Sequence, residues 1–295
     1  MIGRITGQLQ LSSAQRNLQV ALAELTRLSD QASSGKLISK PSDDPAGTAD
    51  SMQVRGQIAA NAQFSRNIAD GTGWLNTVES ALSATTDILV KVRDLTVQAS
   101  NSGSLSPVAR EAIAVELEGL RSELFAQANT EYLGRSVFAG NSDEGVAFRP
   151  DLSYTGVAGS TVERRVDATS TVRVDADGAA VYGTGATSAF ALIDTIVADV
   201  RGGTADVSAH LDSIDARLQS VWGEHTVVGA RYAQLERAKG LTMEQSVSLE
   251  AQRLSVEDVD LGKTILDLKM QEVAYQSALA VTSRALQPTL LSFLS

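Results

Sequence analysis

The stretch Ser34-Gly35-Lys36-Leu37-Ile38-Ser39-Lys40-Pro41-Ser42-Asp43-Asp44-Pro45-Ala46-Gly47 separates two helical patterns and decides how the chain on either side is read. Gly35 suits a helix stop, because glycine reaches the left-handed conformation at no steric cost. Asp44 precedes a proline and so avoids the helical region. It suits an N-cap, with Pro45 at the first helical position. Pro41 and Asp43 complete the turn. Upstream, Leu11, Ala14, Leu18, Ala21, Leu25, Leu28, Ala32 and Gly35 recur at alternating spacings of three and four. That is a coiled-coil-like seam. It fits an ordinary amphipathic helix and a partner-binding helix equally well.

Downstream of Pro45 a long helix is expected. Its later part carries a second seam: Leu75, Val78, Leu82, Thr85, Leu89, Val92, Thr96 and Ala99. Asn101-Ser102-Gly103 ends it, and Ser106-Pro107 restarts a helix with Ile113, Leu117, Leu120, Leu124 and Ala128 on one face. So short a connection predicts an antiparallel hairpin. From Gly140 to Gly203 the character changes to nine glycines with many Thr, Val and Asp residues. Thr171-Val172-Arg173-Val174-Asp175 alternates in the β manner ahead of the turn signal Asp177-Gly178. Residues 141–203 read as a β-rich insert. Helical spacing then returns in Val207, Leu211, Ile214, Leu218, Val221, His225, Val228, Tyr232 and Leu235. A last segment follows the same rule through Leu254, Asp258, Leu261, Ile265, Leu268, Glu272, Tyr275, Leu279, Thr282 and Leu286, until Pro288.

The expected fold class is mainly α with a small β insert, in a nested order. Residues 1–40 and 255–295 form terminal coiled-coil helices. Residues 41–140 and 204–254 form a helical bundle, and 141–203 an outer insert. A chain that goes out and returns brings its ends together in an elongated molecule. Two terminal helices bury only one seam between them, which is thin for independent stability. Leu22, Leu266, Met270, Val273, Val281, Leu290 and Phe293 are left over and need other partners. The expected assembly interface is therefore Leu11, Leu18, Leu25, Leu28, Leu254, Leu261, Ile265, Leu268, Tyr275, Leu279 and Leu286. A surface that binds a different surface on the next copy gives a ring or a helical polymer.

Composition excludes several classes. The 295 residues carry a formal net charge of −10, against a broad nucleic-acid footprint or an anionic membrane surface. The ends differ in sign. Residues 1–40 hold five basic against two acidic residues, and residues 255–295 three against five, a hint that the ends pair. Aromatics are 4%, sparse for an enzyme core and pocket. There is no cysteine, hence no disulfide, thiol chemistry or Cys-based zinc site. The first residues lack the apolar stretch of a cleaved secretory signal, and no run has a membrane span's length.

Chemical motifs fail one by one. Gly262-Lys263-Thr264 imitates a phosphate-loop ending, but Glu257 stands where the earlier glycine belongs. Asp175-Ala176-Asp177-Gly178 imitates a calcium loop, but Arg173 replaces the first ligand, so a turn is expected. His210 is read as solvated, and His225 as a half-buried packing residue with one hydrogen bond. Trp74 and Trp222 are read as core or inter-subunit contacts. No catalytic, cofactor or metal site is expected.

The stretch Ser34–Gly47 resembles the turn after the N-terminal helix of the bacterial flagellin family. Arg66-Asn67-Ile68-Ala69-Asp70-Gly71 and Val92-Arg93-Asp94-Leu95-Thr96-Val97-Gln98-Ala99 resemble that family's next helix. Val256-Glu257-Asp258-Val259-Asp260-Leu261 and Ala280-Val281-Thr282-Ser283-Arg284 resemble its C-terminal helix. Within the family, Gly134-Arg135-Ser136-Val137-Phe138-Ala139-Gly140, Lys40–Pro45 and Leu290-Leu291-Ser292-Phe293-Leu294 are similar to the hook-associated subunits at the hook–filament junction. The resemblance implies a non-enzymatic subunit on the extracellular flagellum, secreted unfolded by type III export and required for motility. It also implies partners: copies of itself, an adjacent hook-associated protein on the hook side, flagellin on the filament side, and an export chaperone. The alternatives are a filament flagellin, and a binding module or enzyme in residues 141–203.

Overall fold

The computed structural model describes residues 2–100, 106–203 and 206–285, with the side chains of 2–8, 10–11 and 284–285 outside that description. The long helices are α1 (Ile2–Ser34), α2 (Pro45–Ser100), α3 (Pro107–Ala128), α6 (Leu211–Glu257) and α7 (Leu261–Ala285). Between α3 and α6 lie β1 (Glu131–Tyr132), β2 (Arg135–Ser136), β3 (Glu163–Arg165), β4 (Thr171–Arg173), α4 (Gly178–Tyr182) and α5 (Ala189–Gly202). The chain divides into two compact units: residues 60–245, and residues 1–59 with 246–295. The expected stop at Asn101–Gly103 and the tail from Leu286 lie outside the described residues.

In the unit of residues 60–245 the helical stripes become a core. All eight seam positions of α2, from Leu75 to Ala99, are buried, as are Ile113, Leu117, Leu120, Leu124 and Ala128 of α3. Ile214, Leu218, Val221, Val228 and Leu235 of α6 join the same cluster. Apolar side chains at three-four spacing share one helix face, so a single face goes inward and the remaining polar faces stay solvated. Ser106 caps α3 through Ala109 N–H, with Pro107 at the first position. The two polar seam residues are satisfied locally: Thr85 Oγ1 lies 2.8 Å from Tyr182 Oη, and Thr96 donates to Val92 O at 2.7 Å.

The β component is two antiparallel hairpins, β1–β2 and β3–β4. The first turns through Leu133 and Gly134, both at positive φ, the backbone signature of a two-residue primed turn. The second closes on Asp167, whose Oδ1 accepts from Thr169 N–H and Ser170 N–H. Residues 141–203 are less β-rich than expected, because Ala189–Gly202 is a helix. Ser188 caps it, and Gly203 ends it in the left-handed conformation. Its stripe of Phe190, Ile193, Ile196, Val197 and Val200 is buried, and the helix packs along α3. The flanking glycines at 183, 185, 202 and 203 obscure that stripe when composition is averaged over the segment. The sparse aromatics concentrate here. Phe138, Phe148 and Phe190 all meet Tyr182 with ring centroids 5.3–5.8 Å apart. Asn129 ties this region to the end of α3, its Oδ1 accepting from Ala147 N–H and Phe148 N–H at 2.9 and 2.8 Å.

Two side chains differ from their sequence reading. His210 is not solvated: Nε2 lies 2.7 Å from Asp199 Oδ2, linking α5 to the short 3-10 turn before α6. His225 approaches Glu79 Oε1 only to 3.8 Å, beyond a hydrogen bond. Trp222 is half exposed, whereas Trp74 is buried with the guanidinium groups of Arg135 and Arg164 at 5.6 and 5.4 Å from its ring centroid. Asp177 caps α4, and Asp175 is held by Arg173, so the two carboxylates of the calcium-like stretch are spent on local structure. Thr264 lies inside α7. Among the described residues no group of three or more His, Asp or Glu could hold a metal, and no helix is long and apolar enough to cross a membrane.

Candidate assembly interface

The second unit is built from α1, the first part of α2, the end of α6, and α7. Its α1–α7 pair departs from the expected pairing. On α1 the seam is as read: Ala14, Leu18, Ala21 and Leu25 are half-buried and Leu28 is 7% exposed. On α7 the inward line is Thr264, Leu268, Gln271, Tyr275, Ala278 and Thr282. Leu268, Tyr275 and Thr282 belong to the sequence-derived seam. Leu261, Ile265 and Leu279 do not turn inward: they are 50%, 51% and 43% exposed. At about 100° per residue the two lines are rotated by about 60° around the helix.

The chain also has a break that the sequence pattern did not reveal. The expected continuous stripe from Leu254 is interrupted between α6 and α7 at residues 258–260. There the chain pairs with the turn after α1: Leu37 N–H donates to Glu257 O at 2.7 Å, and Val259 N–H donates to Gly35 O at 3.2 Å. Gly35 sits at φ +69°, where a side chain would be strained. Asp260 then starts α7, with Lys263 N–H on its Oδ1 and Thr264 N–H on its backbone oxygen. Asp258, read as a seam position, is exposed in this break.

Glu257 is the hub. It is 4% exposed, and its carboxylate receives Arg55 Nε at 2.6 Å, Arg55 Nη2 at 2.8 Å and Ser51 Oγ at 2.6 Å. Arg253 Nη1 adds a longer contact at 3.3 Å. Arg55's hydrogen bonds, aided by Ser51 and by Arg55's charge, hold the carboxyl down to about 2 against the opposing effect of burial. Nearby, Gln31 donates to Leu37 O at 2.8 Å and accepts from Arg27 Nη1 at 3.0 Å. Farther along the pair, Gln271 Nε2 donates to Ala21 O at 3.1 Å. These polar residues were missed as site residues. Glu257 entered the sequence reading only within a family-like stretch and as the residue that spoils a phosphate loop, and no periodicity marks a side chain whose partners come from distant segments. The charge asymmetry of the two ends is not used as cross-helix ion pairs among the described residues. Arg27 pairs with Glu24, and Lys269 with Glu272, each within its own helix.

The turn residues sit at the start of α2. Asp44 Oδ1 accepts from Gly47 N–H at 2.9 Å, Pro45 is the first helical residue, and Asp43 Oδ2 accepts from Lys40 N–H at 2.9 Å across Pro41. Of the other interface residues, Leu254 is exposed at the end of α6. The side chain of Leu11 and the whole of Leu286 lie outside the described residues. A further apolar line, Leu266, Met270, Val273 and Val281, is exposed on the face of α7 away from α1, and Val20 and Leu22 are exposed on α1. So much exposed Leu, Ile, Val and Met on two paired helices is the pattern of a surface that other chains cover.

Residues 5–143 match the bacterial flagellin N-terminal helical region, and residues 211–294 match the bacterial flagellin C-terminal helical region. The chain is 26% identical to flagellar hook-associated protein 3 of Escherichia coli (strain K12), over 93% of this chain and 94% of that protein. It is 28% identical to flagellin of Bacillus subtilis (strain 168), over 88% of each. In structure it is similar to the putative flagellar hook-associated protein from Vibrio parahaemolyticus, with a TM-score of 0.67 and 22% identity over 72% of this chain and 99% of that one.

Proposed function

This chain belongs to the bacterial flagellin family, a family of flagellar structural subunits, and from that premise we propose that it is the adaptor joining hook to filament. It would do so by stacking its terminal helices against those of neighbouring subunits, as motility requires. The observation that carries the reading is the exposed apolar surface of α7 and α1, centred on Leu261, Ile265 and Leu279. Full burial of such a side chain is worth about 1.5–3 kcal/mol, so covering the exposed half of these three contributes to association together with the remaining apolar surface of α7 and α1. The partners are further copies of this chain, a hook-associated protein on one side, flagellin on the other, and an export chaperone before assembly. The place of action is outside the cell, at the hook–filament junction.

The triple variant Leu261→Ser, Ile265→Ser, Leu279→Ser tests this reading. Assembly and motility are expected to be lost while the unit of residues 60–245 melts as before. Normal motility in that variant would overturn the proposal. The similarity to a flagellin over 88% of the chain favours a second reading, a subunit of the filament itself. A tag in the exposed turn Asp167–Thr169 separates the two by electron microscopy. One band at the end of the hook marks the adaptor, and labelling along the filament marks the flagellin.

A further inference from the structure

The turn that closes the β1–β2 hairpin carries two local costs. Leu133 and Gly134 are its central residues, at φ +50° and +75°. Both positions of such a turn need positive φ, which is why Asn-Gly is the usual choice there. A leucine at the first of them is strained, because its Cβ crowds the backbone in the left-handed conformation. Leu133 is also 81% exposed, more than any other large apolar side chain among the described residues. Its own chain hardly covers it, so neither the strain nor the wet apolar surface is offset within the molecule.

The hairpin beneath this tip is firmly seated. Tyr132 and Arg135, the pair flanking the turn, both pack on buried Trp74. The Tyr132 ring lies 5.5 Å from the Trp74 ring, and the Arg135 guanidinium 5.6 Å. Gly73 leaves room for this, since a Cβ there would stand 2.5 Å from Tyr132 Oη. Val137 N–H donates to Thr130 O at 3.1 Å across the base. An apolar point held in place beforehand loses little freedom on being covered. Beside it, Arg135 meets the Trp74 ring and Asn141 Oδ1 and has no carboxylate partner among the described residues.

A surface of matching character lies on the outward face of α3. Val108 and Val115, two turns apart, are 80% and 55% exposed. Glu116 and Glu123 run along one edge of it and pair with nothing among the described residues. On the other edge, Glu111 and Glu118 are taken by Arg201. The hairpin cannot reach this face in its own chain. It follows the C-terminal end of α3, whereas Val115 and Val108 lie about 20 and 30 Å back along that helix. The tip and the valines can meet only between molecules.

We propose that Leu133 is a preformed knob for a second copy of this chain, seated on the Val108–Val115 face of that copy's α3 with Arg135 against Glu116 or Glu123. The two surfaces differ, so the contact is heterologous and passes from copy to copy around a ring or along a polymer. It rests on the assembly reading above, and it adds to the terminal helices a contact made by residues 60–245.

The full chain carries the test. Leu133→Asn places at the tip the residue that the turn prefers. The melting temperature of residues 60–245, read by Trp74 fluorescence on dissociated protein, should rise by about 1–3 °C. The concentration for half-assembly, read by sedimentation, should rise by about tenfold or more. Leu133→Met keeps an apolar tip and should assemble as before. The chain has no cysteine, so Glu131→Cys beside the tip and Ala112→Cys between the two valines report without background and leave the contact intact. A short bismaleimide should link the two sites into multimers of this chain in the assembled protein and not in the dissociated one. Unchanged assembly by Leu133→Asn would overturn the proposal, as would absence of the cross-linked multimers. A fall in melting temperature would overturn it too, since the leucine would then be held by its own chain. Failure of the assembly reading shows separately, as intact motility in the Leu261, Ile265, Leu279 variant.

Discussion

The two units use the same repeat in opposite ways. In residues 60–245 the three-four stripes of α2, α3 and α6 close on one another, and every stripe residue of α2 from Leu75 to Ala99 is buried. In the unit formed by the chain's two ends, Leu28, Val54 and Leu249 are the only buried apolar side chains among the described residues, and leucines of the same periodicity face outward. The difference teaches that a heptad stripe states only that a helix will be covered. What covers it depends on how many helices share one core.

Substituting one leucine-type residue in each unit breaks the comparison most sharply. Leu117→Ala opens a cavity in the closed core and should cost about 2–5 kcal/mol. That loss should appear as a lower melting temperature by calorimetry, read on the dissociated protein. Ile265→Ala should leave that transition in place and weaken only assembly, followed by sedimentation. Equal destabilisation by the two would mean that the terminal surface is already covered within one chain.

Acid should sharpen the contrast next. Glu257 has a folded-state value of about 2, well below that of an ordinary carboxyl. Its contribution is therefore complete above about pH 4.5 and is lost progressively as pH falls toward 2. The terminal helices should lose helicity over that window. Both tryptophans lie in residues 60–245, so fluorescence of buried Trp74 reports the other unit separately. Glu257→Gln should remove this part of the acid response. The same acid curve in that variant would assign the effect to other groups.

The smallest effect is expected at the start of α2. Asp44→Ala removes the side-chain acceptor for Gly47 N–H and should cost about 1 kcal/mol of the terminal unit's stability, measured by denaturant titration of helicity. Asp44→Ser should recover most of it. A loss as large as that of Leu117→Ala would show that the turn does more than cap a helix.

Much of the fold was legible because it is written locally. Pro45, Ser106-Pro107 and the stripes of α2, α3 and α6 depend on neighbours within about two turns, and local rules read them correctly. Helix α5 was hidden because glycines crowd both its ends, so composition spoke for the turns around it. The break at residues 258–260 was hidden for a different reason. Its hydrogen bonds reach Gly35 and Leu37, more than two hundred residues away, and nothing in its own spacing departs from a helix.

The candidate site was legible in kind and not in geometry. Exposed leucines near both ends could be foreseen from too many apolar residues for one seam. That Leu261, Ile265 and Leu279 face out while Thr264, Gln271 and Ala278 face in could not, because both lines obey the same spacing. The amino-acid sequence by itself determined that the segments outside residues 141–203 are mainly helical and that the ends carry more apolar surface than two helices can bury. Only the tertiary structure decided which line of α7 turns inward. Periodicity fixes side chains relative to their own helix axis, whereas rotation about that axis shows only in contacts with distant residues, here Ala21, Gly35 and Leu37.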